Sequence, residues 1–282
     1  MTNNNKLAVV TGGTTGIGRG IALRLAETGW AVAVNNLETE SESARQLLAE
    51  VEALGGSAWY APCDVGDSRS VDDFYRGAVE HFQRAPSLLV NNAGTQTWAP
   101  LLELGEEDWD KVIRTNLKGC FLNTQRAARL MVEAGAGGSI VNIGSGCNKL
   151  AFPRLVDYAA SKGGIEMLTK TSALELGEYG IRVNCVAPGG VLVERTEREA
   201  PDYAAVWSAI APLGRVGYAK DIADAVLFLA GENASFISGQ TLWVDGGAFS
   251  KANWPYSNTD NTVAAGAEAA EERNKLELAA QK

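Results

Sequence analysis

The sequence predicts one doubly wound α/β domain, a parallel sheet of about seven strands with helices packed on both faces. Three observations carry that expectation. Strand-like apolar runs alternate with amphipathic helical patterns along the chain, the signature of repeated strand–helix–strand units with right-handed crossovers. The runs are continuously apolar rather than alternating, as expected where both sheet faces are covered. A glycine-rich turn directly follows the first run, and ligands in such sheets bind beyond the carboxyl ends of the strands.

The elements follow in order. Leu7–Val10 is the first strand, and Ile17, Ile21 and Leu25 then share one helical face. Residues 30–35 form the second strand. Ala44, Leu47, Leu48, Val51 and Leu54 keep helical spacing and stop at Gly55-Gly56. Ser57–Pro62 is the third strand, followed by a helix with Val71, Phe74, Ala78, Val79 and Phe82 on one side. Strands at 88–91, 139–143, 182–187 and 241–244 are interleaved with helical patterns over 106–134, 157–179 and 219–230. Residues 188–218 break the alternation with a long connection and a short helix around 202–210, and connections this long are usually functional lids. The domain is expected to span 1–250. Residues 251–282 are a C-terminal extension, rich in helix formers, with Trp254 and Tyr256 as apolar anchors. Either 251–260 packs near the lid, or the extension is exposed and without a role.

Composition narrows the function classes. The 282 residues hold 25 basic and 34 acidic side chains, a formal charge of −9, which disfavours a nucleic-acid partner. The single histidine, His81, is placed on a surface and excludes nearly every His-dependent triad or HExxH metal site. Cys63, Cys120, Cys147 and Cys185 lie far apart with no CxxC pair, so neither a disulfide framework nor a metal site is expected. No apolar run approaches the roughly 18 residues needed to span a bilayer. The first strand begins near Lys6, leaving no room for a signal peptide. The expectation is a soluble, cytoplasmic protein with no membrane partner.

The chemistry-bearing residues cluster at strand ends. Thr11-Gly12-Gly13-Thr14-Thr15-Gly16-Ile17-Gly18 joins the first strand to the first helix. Its glycines allow close approach of a phosphate to backbone N–H groups at a helix N-terminus. Tyr158 and Lys162, four apart, share a helix face. A free tyrosine has a pKa of about 10, and a neighbouring ammonium favours its phenolate form. Ser145 ends the fifth strand, either as a turn residue or as a donor to a substrate oxygen. Asn116 sits in one apolar stripe with Trp109, Val112, Ile113, Cys120 and Phe121, so its amide must find partners. Asn91-Asn92-Ala93-Gly94 follows the fourth strand and either admits a ligand or ties neighbouring strands together.

Taken together, these motifs resemble the short-chain dehydrogenase/reductase family over essentially residues 5–248. The resemblance rests on the Thr11–Gly18 loop, Asp64-Val65, Asn91–Gly94, Asn116, Ser145, Tyr158-x3-Lys162 and Pro188-Gly189. It implies a Rossmann-type fold and hydride transfer between a nicotinamide cofactor and a carbonyl or secondary alcohol. It further implies that Tyr158 is the general acid/base, that Ser145 holds the substrate oxygen and that Asn116 supports a water relay to Lys162. By the same resemblance, Lys162 is expected to lower the tyrosine pKa and to bind the nicotinamide ribose. Cofactor contacts are expected from Gly12, Thr14, Thr15, Gly16, Ile17, Gly18, Asn36, Asp64, Val65, Asn92, Ala93, Gly94, Pro188, Gly189 and Val191, beside Tyr158 and Lys162. Two positions depart from the common pattern: Gly144 stands where a second serine is frequent, and Val193 where a threonine usually meets the carboxamide. A catalytically silent dinucleotide-binding module is the reading of a different class; the complete Asn/Ser/Tyr/Lys set argues against it.

NAD is expected over NADP. The second strand ends Val34-Asn35-Asn36-Leu37 and runs into Glu38, Glu40 and Glu42, with Arg45 the first cation after it. A 2′-phosphate would meet acidic side chains there. The substrate pocket is expected to involve Gln96, Cys147, Asn148, Arg154 and Gly190, and their polarity points to a sugar or polyol. A 3-oxoacyl-carrier reductase is the alternative, with Arg126 and Arg129 as the docking cations. Small residues Ala159, Ala160, Gly163 and Gly164 on the Tyr158 helix, and pairing habits within the family, imply a homodimer or homotetramer.

Overall fold

The computed structural model describes residues 6–250. The chain runs β1 (Leu7–Val10), α1 (Gly16–Glu27), β2 (Ala31–Asn36), α2 (Ser41–Ala53), β3 (Ser57–Pro62) and α3 (Ser68–Phe82). It continues with β4 (Leu88–Asn91), α4 (Glu106–Val112), α5 (Gly119–Ala134), β5 (Gly138–Ile143), α6 (Val156–Leu176) and β6 (Ile181–Pro188). The long connection holds β7 (Val191–Leu192), α7 (Glu194–Glu199), α8 (Tyr203–Ile210) and β8 (Gly217–Tyr218). Finally α9 (Ala219–Ala230) leads into β9 (Thr241–Val244).

Seven strands form one parallel sheet in the order β3-β2-β1-β4-β5-β6-β9. The chain winds outward from β1 to β3, returns to place β4 on the other side of β1, and winds outward again. The reversal opens a crevice between the ends of β1 and β4. Side chains alternate along β1: Ala8 and Val10 face Ile21, Leu25 and Leu47 of α1 and α2, with α9 completing that layer. Leu7 and Val9 face the opposite layer, where Val71 and Phe74 of α3 meet Ala127 and Met131 of α5. Covering both faces explains the continuously apolar strands, and each fully buried Leu or Phe contributes about 1.5–3 kcal/mol.

Some local expectations are corrected. The 106–134 pattern is not one helix: a π-helical segment, Ile113–Lys118, separates α4 from α5. A π turn holds more residues than an α turn and rotates the buried stripe. Val112, Asn116 and Cys120 are buried, whereas Trp109 and Phe121, expected in the same stripe, are exposed. The long connection carries α7 as well as the expected helix near 202–210. His81 is exposed, and all four cysteines are buried and free. Among the described residues, no helix is long and apolar enough to cross a membrane, and no His/Cys/Asp/Glu group could hold a metal ion. The C-terminal extension, 251–282, lies outside the described residues.

Candidate active site

The two loops flanking the crevice are tied to each other. The Thr11 hydroxyl accepts from the N–H groups of Asn92 and Ala93, both at 3.0 Å. The Asn92 amide donates back to the carbonyls of Thr11 and Gly12 at 3.0 and 3.1 Å. Gly18 makes this close approach possible: a Cβ there would stand 2.3 Å from the Gly12 carbonyl oxygen and 2.4 Å from Asn92 Nδ2. Gly12 and Gly16 have φ of +60° and +54°, the left-handed region that glycine enters at no cost. The N–H of Gly12 donates to Asn35 Oδ1 at 3.2 Å and that of Gly13 to the Asn35 carbonyl at 3.0 Å.

Helix α1 starts at Gly16 without a side-chain cap from Thr15, which is exposed. The first N–H groups of a helix have no intrahelical partner, so those of Gly16, Ile17 and Gly18 are available to an anion. A Cβ on Gly16 would stand 3.8 Å from Val193, at ordinary van der Waals contact and without a clash. At the end of β2, Asn36 Nδ2 donates to the Thr14 hydroxyl at 2.7 Å and its Oδ1 accepts from the Leu37 N–H at 2.9 Å. Asp64 accepts from the Gly66 N–H at 2.9 Å and pairs with Arg114, while Val65 is buried against Gly119. Gly94 lies beside Asn116, and the Gly189 N–H following Pro188 donates to the Val244 carbonyl at 3.0 Å. The Val191 carbonyl accepts from the Thr196 hydroxyl at 3.2 Å.

The catalytic candidates converge beside this crevice. Lys162 is 4% exposed, donates to the Ile143 carbonyl at 2.7 Å, and holds Nζ 5.4 Å from the Tyr158 ring centroid. Two residues beyond Ile143, the Ser145 hydroxyl accepts from the Cys147 N–H at 3.2 Å. Asn116, in the π-helical segment, is buried. It donates to the Thr95 carbonyl at 2.9 Å and to the Ser161 hydroxyl at 3.0 Å, and accepts from the Thr95 N–H at 2.8 Å. Ser161 in turn donates to the Tyr158 carbonyl at 2.8 Å. A cavity between Thr11, Ala93, Asn116, Ile143 and Lys162 is about one water in size.

The expected substrate residues separate. Gln96 is half-buried in the loop after β4, and Arg154 is exposed with φ +66°. Cys147 is buried, and burial pushes its thiol up, so it stays protonated. The Asn148 amide, expected at the substrate, turns inward instead: its Oδ1 accepts from the Ser145 N–H at 3.0 Å and its Nδ2 donates to Glu166 at 2.9 Å. Gly190 is covered by Trp207, where a Cβ would stand 2.2 Å from the indole. Sequence reasoning places Phe152 at this mouth but misses the rest of its aromatic wall, Trp207, Trp243 and Phe249. Phe249 packs on Gly146, with ring centroids 5.7 Å from Phe152, 6.1 Å from Trp207 and 5.9 Å from Trp243. The available signal was position, because Phe249 follows the last strand as the other pocket residues follow theirs.

The family model described as enoyl-(acyl carrier protein) reductase matches residues 12–248. The chain is 40% identical over 248 residues to (3R)-3-hydroxyacyl-CoA dehydrogenase of Mus musculus, covering 86% of this chain and 96% of that protein. It is 38% identical over 244 residues to 3-oxoacyl-[acyl-carrier-protein] reductase of Staphylococcus aureus, covering 86% and 98%. A short-chain type dehydrogenase/reductase from Mycobacterium marinum superposes with a TM-score of 0.82 at 34% identity, covering 87% of this chain and 96% of that one. A candidate gluconate dehydrogenase from Agrobacterium tumefaciens does so with the same TM-score at 33% identity, covering 88% and 98%. The seven-stranded parallel sheet agrees with these likenesses, and the chain belongs to the short-chain dehydrogenase/reductase family, as an oxidoreductase acting on hydroxyl and carbonyl groups.

Proposed function

We propose that this chain is an NAD-dependent dehydrogenase/reductase in which Ser145 holds the substrate oxygen and Tyr158 exchanges a proton with it. The reading is supported by Lys162, which donates to the Ile143 carbonyl two residues before Ser145 and holds Nζ 5.4 Å from the Tyr158 ring centroid. A dinucleotide fits the residues present: a helix N-terminus without a side-chain cap, and glycines where a Cβ would block the loop. When bound, the nicotinamide supplies or accepts the hydride.

The protein's own groups handle orientation and protons. The Ser145 Oγ accepts from the Cys147 N–H, which leaves its proton to donate to a substrate oxygen. Tyr158 takes that oxygen's proton during alcohol oxidation and returns it during ketone reduction. Lys162 uses one of three donors on Ile143 and keeps two for a ribose hydroxyl and a relay water. Asn116 bounds the water-sized cavity beside that ammonium. Asp64, Val65, Asn92, Ala93, Gly94, Pro188, Gly189 and Val191 line the remainder of the cofactor cleft. The 188–218 connection closes over it as the lid of the 1–250 domain.

NAD is favoured because the nearby cations are already engaged. Arg19 contacts both carboxylate oxygens of Glu50 at 2.5 Å, and Arg45 pairs with Glu42. For the substrate, a 3-oxoacyl or 3-hydroxyacyl thioester is favoured by the names of two relatives near 40% identity and by the aromatic wall. The sugar or polyol reading keeps Gln96 and Arg154 and is favoured by the likeness to the candidate gluconate dehydrogenase. Arg126 is paired with Asp72, while Arg129 is exposed at the edge of the α5–α6 groove. Reduction of acetoacetyl-CoA with NADH, against oxidation of gluconate and polyols with NAD, decides between the classes. A lack of turnover across both arms would favour a silent binding module.

The α5–α6 face is proposed to pair with a second copy. Its groove, about 440 Å³, is lined by Phe121, Ala128, Val132, Leu168, Leu176 and Tyr179, an apolar surface continuous with the helices that carry the site. Light scattering is expected to return a dimer or tetramer, and the mass of one chain would overturn this. A cytoplasmic location is proposed from the four free thiols, which suit a reducing compartment.

A further inference from the structure

Helix α6 carries Tyr158 and Lys162 on one face, and Glu166 continues that face one turn further on. Neither proton transfer nor cofactor binding uses this glutamate, yet its side chain is only 8% exposed. It accepts from Asn148 Nδ2 at 2.9 Å, the Thr241 hydroxyl at 2.9 Å and Lys170 Nζ at 3.0 Å. Burial pushes the carboxyl up, but hydrogen bonds from Lys170, Thr241 and Asn148 outweigh it and hold it below the usual carboxylate range. At neutral pH it is therefore an acceptor only.

That polarity dictates which way the Asn148 amide faces. Its NH₂ must meet Glu166, so its Oδ1 is left to accept from the Ser145 N–H, at 3.0 Å. With the amide reversed, an NH₂ would oppose that N–H, donor against donor. The second Nδ2 proton faces Cys185 Sγ at 3.5 Å. Gly144 gives the amide its room: a Cβ there would stand 2.6 Å from Asn148 Nδ2 and 2.7 Å from Cys185 Sγ. The departure at 144 and the inward turn of Asn148 are thus one feature, a polar clamp occupying the space beside Ser145.

We propose that Glu166, acting through Asn148, is a positioning residue that fixes the turn of Ser145 so that its hydroxyl meets the substrate oxygen. This rests on the reading of Ser145 as the oxygen-holding hydroxyl. Ser145 is then held at two points, its backbone N–H by Asn148 and its side-chain Oγ by the Cys147 N–H. A small misplacement of such a group has a large kinetic cost.

Glu166→Gln tests it, because glutamine keeps the volume but can donate as well as accept. With the better of acetoacetyl-CoA and gluconate as substrate, kcat is expected to fall roughly 10-fold, with a smaller change in KM and unchanged NADH affinity. In a Ser145→Ala background the same substitution is expected to cause no further loss. Without any substrate, amide exchange of the 144–149 segment, followed by mass spectrometry, is expected to quicken in Glu166→Gln. An equal fold-loss in both backgrounds, undiminished kcat, or unchanged exchange in that segment would overturn the clamp. Full turnover by Ser145→Ala alone would instead overturn the reading of Ser145, and the proposal with it.

Discussion

Lys162 donates to the backbone carbonyl of Ile143 at 2.7 Å, which pins its ammonium at the end of β5, two residues before Ser145. A helix residue and a strand end are thereby locked in one geometry. The lysine reaches the crevice from α6, is buried, and keeps this hydrogen bond to the strand end. The same helix turn presents Tyr158, whose ring centroid lies 5.4 Å from Lys162 Nζ, so the packing of α6 on the end of β5 places these side chains.

Replacing this lysine should separate chemistry from folding. Lys162→Met keeps a similar buried length while removing every donor. Catalytic efficiency is expected to drop by about 10²–10⁴-fold, with weaker NADH binding and a melting temperature within a few degrees of the parent. Steady-state rates and thermal unfolding check it, and unchanged efficiency would remove Lys162 from the mechanism.

The tied loops give a second expectation. Gly18→Ala would place a methyl group 2.3 Å from the Gly12 carbonyl oxygen, forcing the glycine turn away from Asn92. A loss of about 1–3 kcal/mol of stability is expected, together with weakened NADH binding. Gly177→Ala is the contrast, because a Cβ there meets nothing within 4 Å and its φ is −59°. Fluorescence titration of NADH and thermal unfolding of both variants distinguish a local block from general sensitivity to substitution.

Cofactor choice should respond to one exposed position. Leu37, 54% exposed, directly follows β2 and precedes Glu38 and Glu40. Leu37→Arg offers a cation not already held by a carboxylate partner, as Arg19 and Arg45 are. Efficiency with NADP is expected to rise by about an order of magnitude relative to NAD, since one well-placed charge pair is worth around 1 kcal/mol or more. A parent enzyme that already prefers NADP would contradict the cofactor reading.

The doubly wound sheet was legible because its strands are apolar without interruption and its helices keep a regular period. The places of the glycine loop, Ser145 and the Tyr158/Lys162 pair in the fold were legible because each depends on a strand end or one helix turn. The π-helical segment at Asn116 left no trace in a 3.6-residue pattern, so Trp109 and Phe121 were assigned to a face they do not occupy. Helix α7, Glu194–Glu199, has no apolar side to announce it. The aromatic wall arises where α8 meets the loop after β9, a tertiary encounter invisible to local pattern. Asn148 looked available to substrate because side-chain direction there depends on the absent side chain of Gly144 and on Glu166, 18 residues away.

The most direct test of proton transfer at Tyr158 is single-substrate kinetics of Tyr158→Phe with parallel NADH titration. The variant loses one hydroxyl and keeps the ring beside Lys162. Turnover is expected to fall at least about 10²-fold while NADH still binds with near-parental affinity. Full turnover with cofactor bound would contradict the assignment of Tyr158 as the general acid/base.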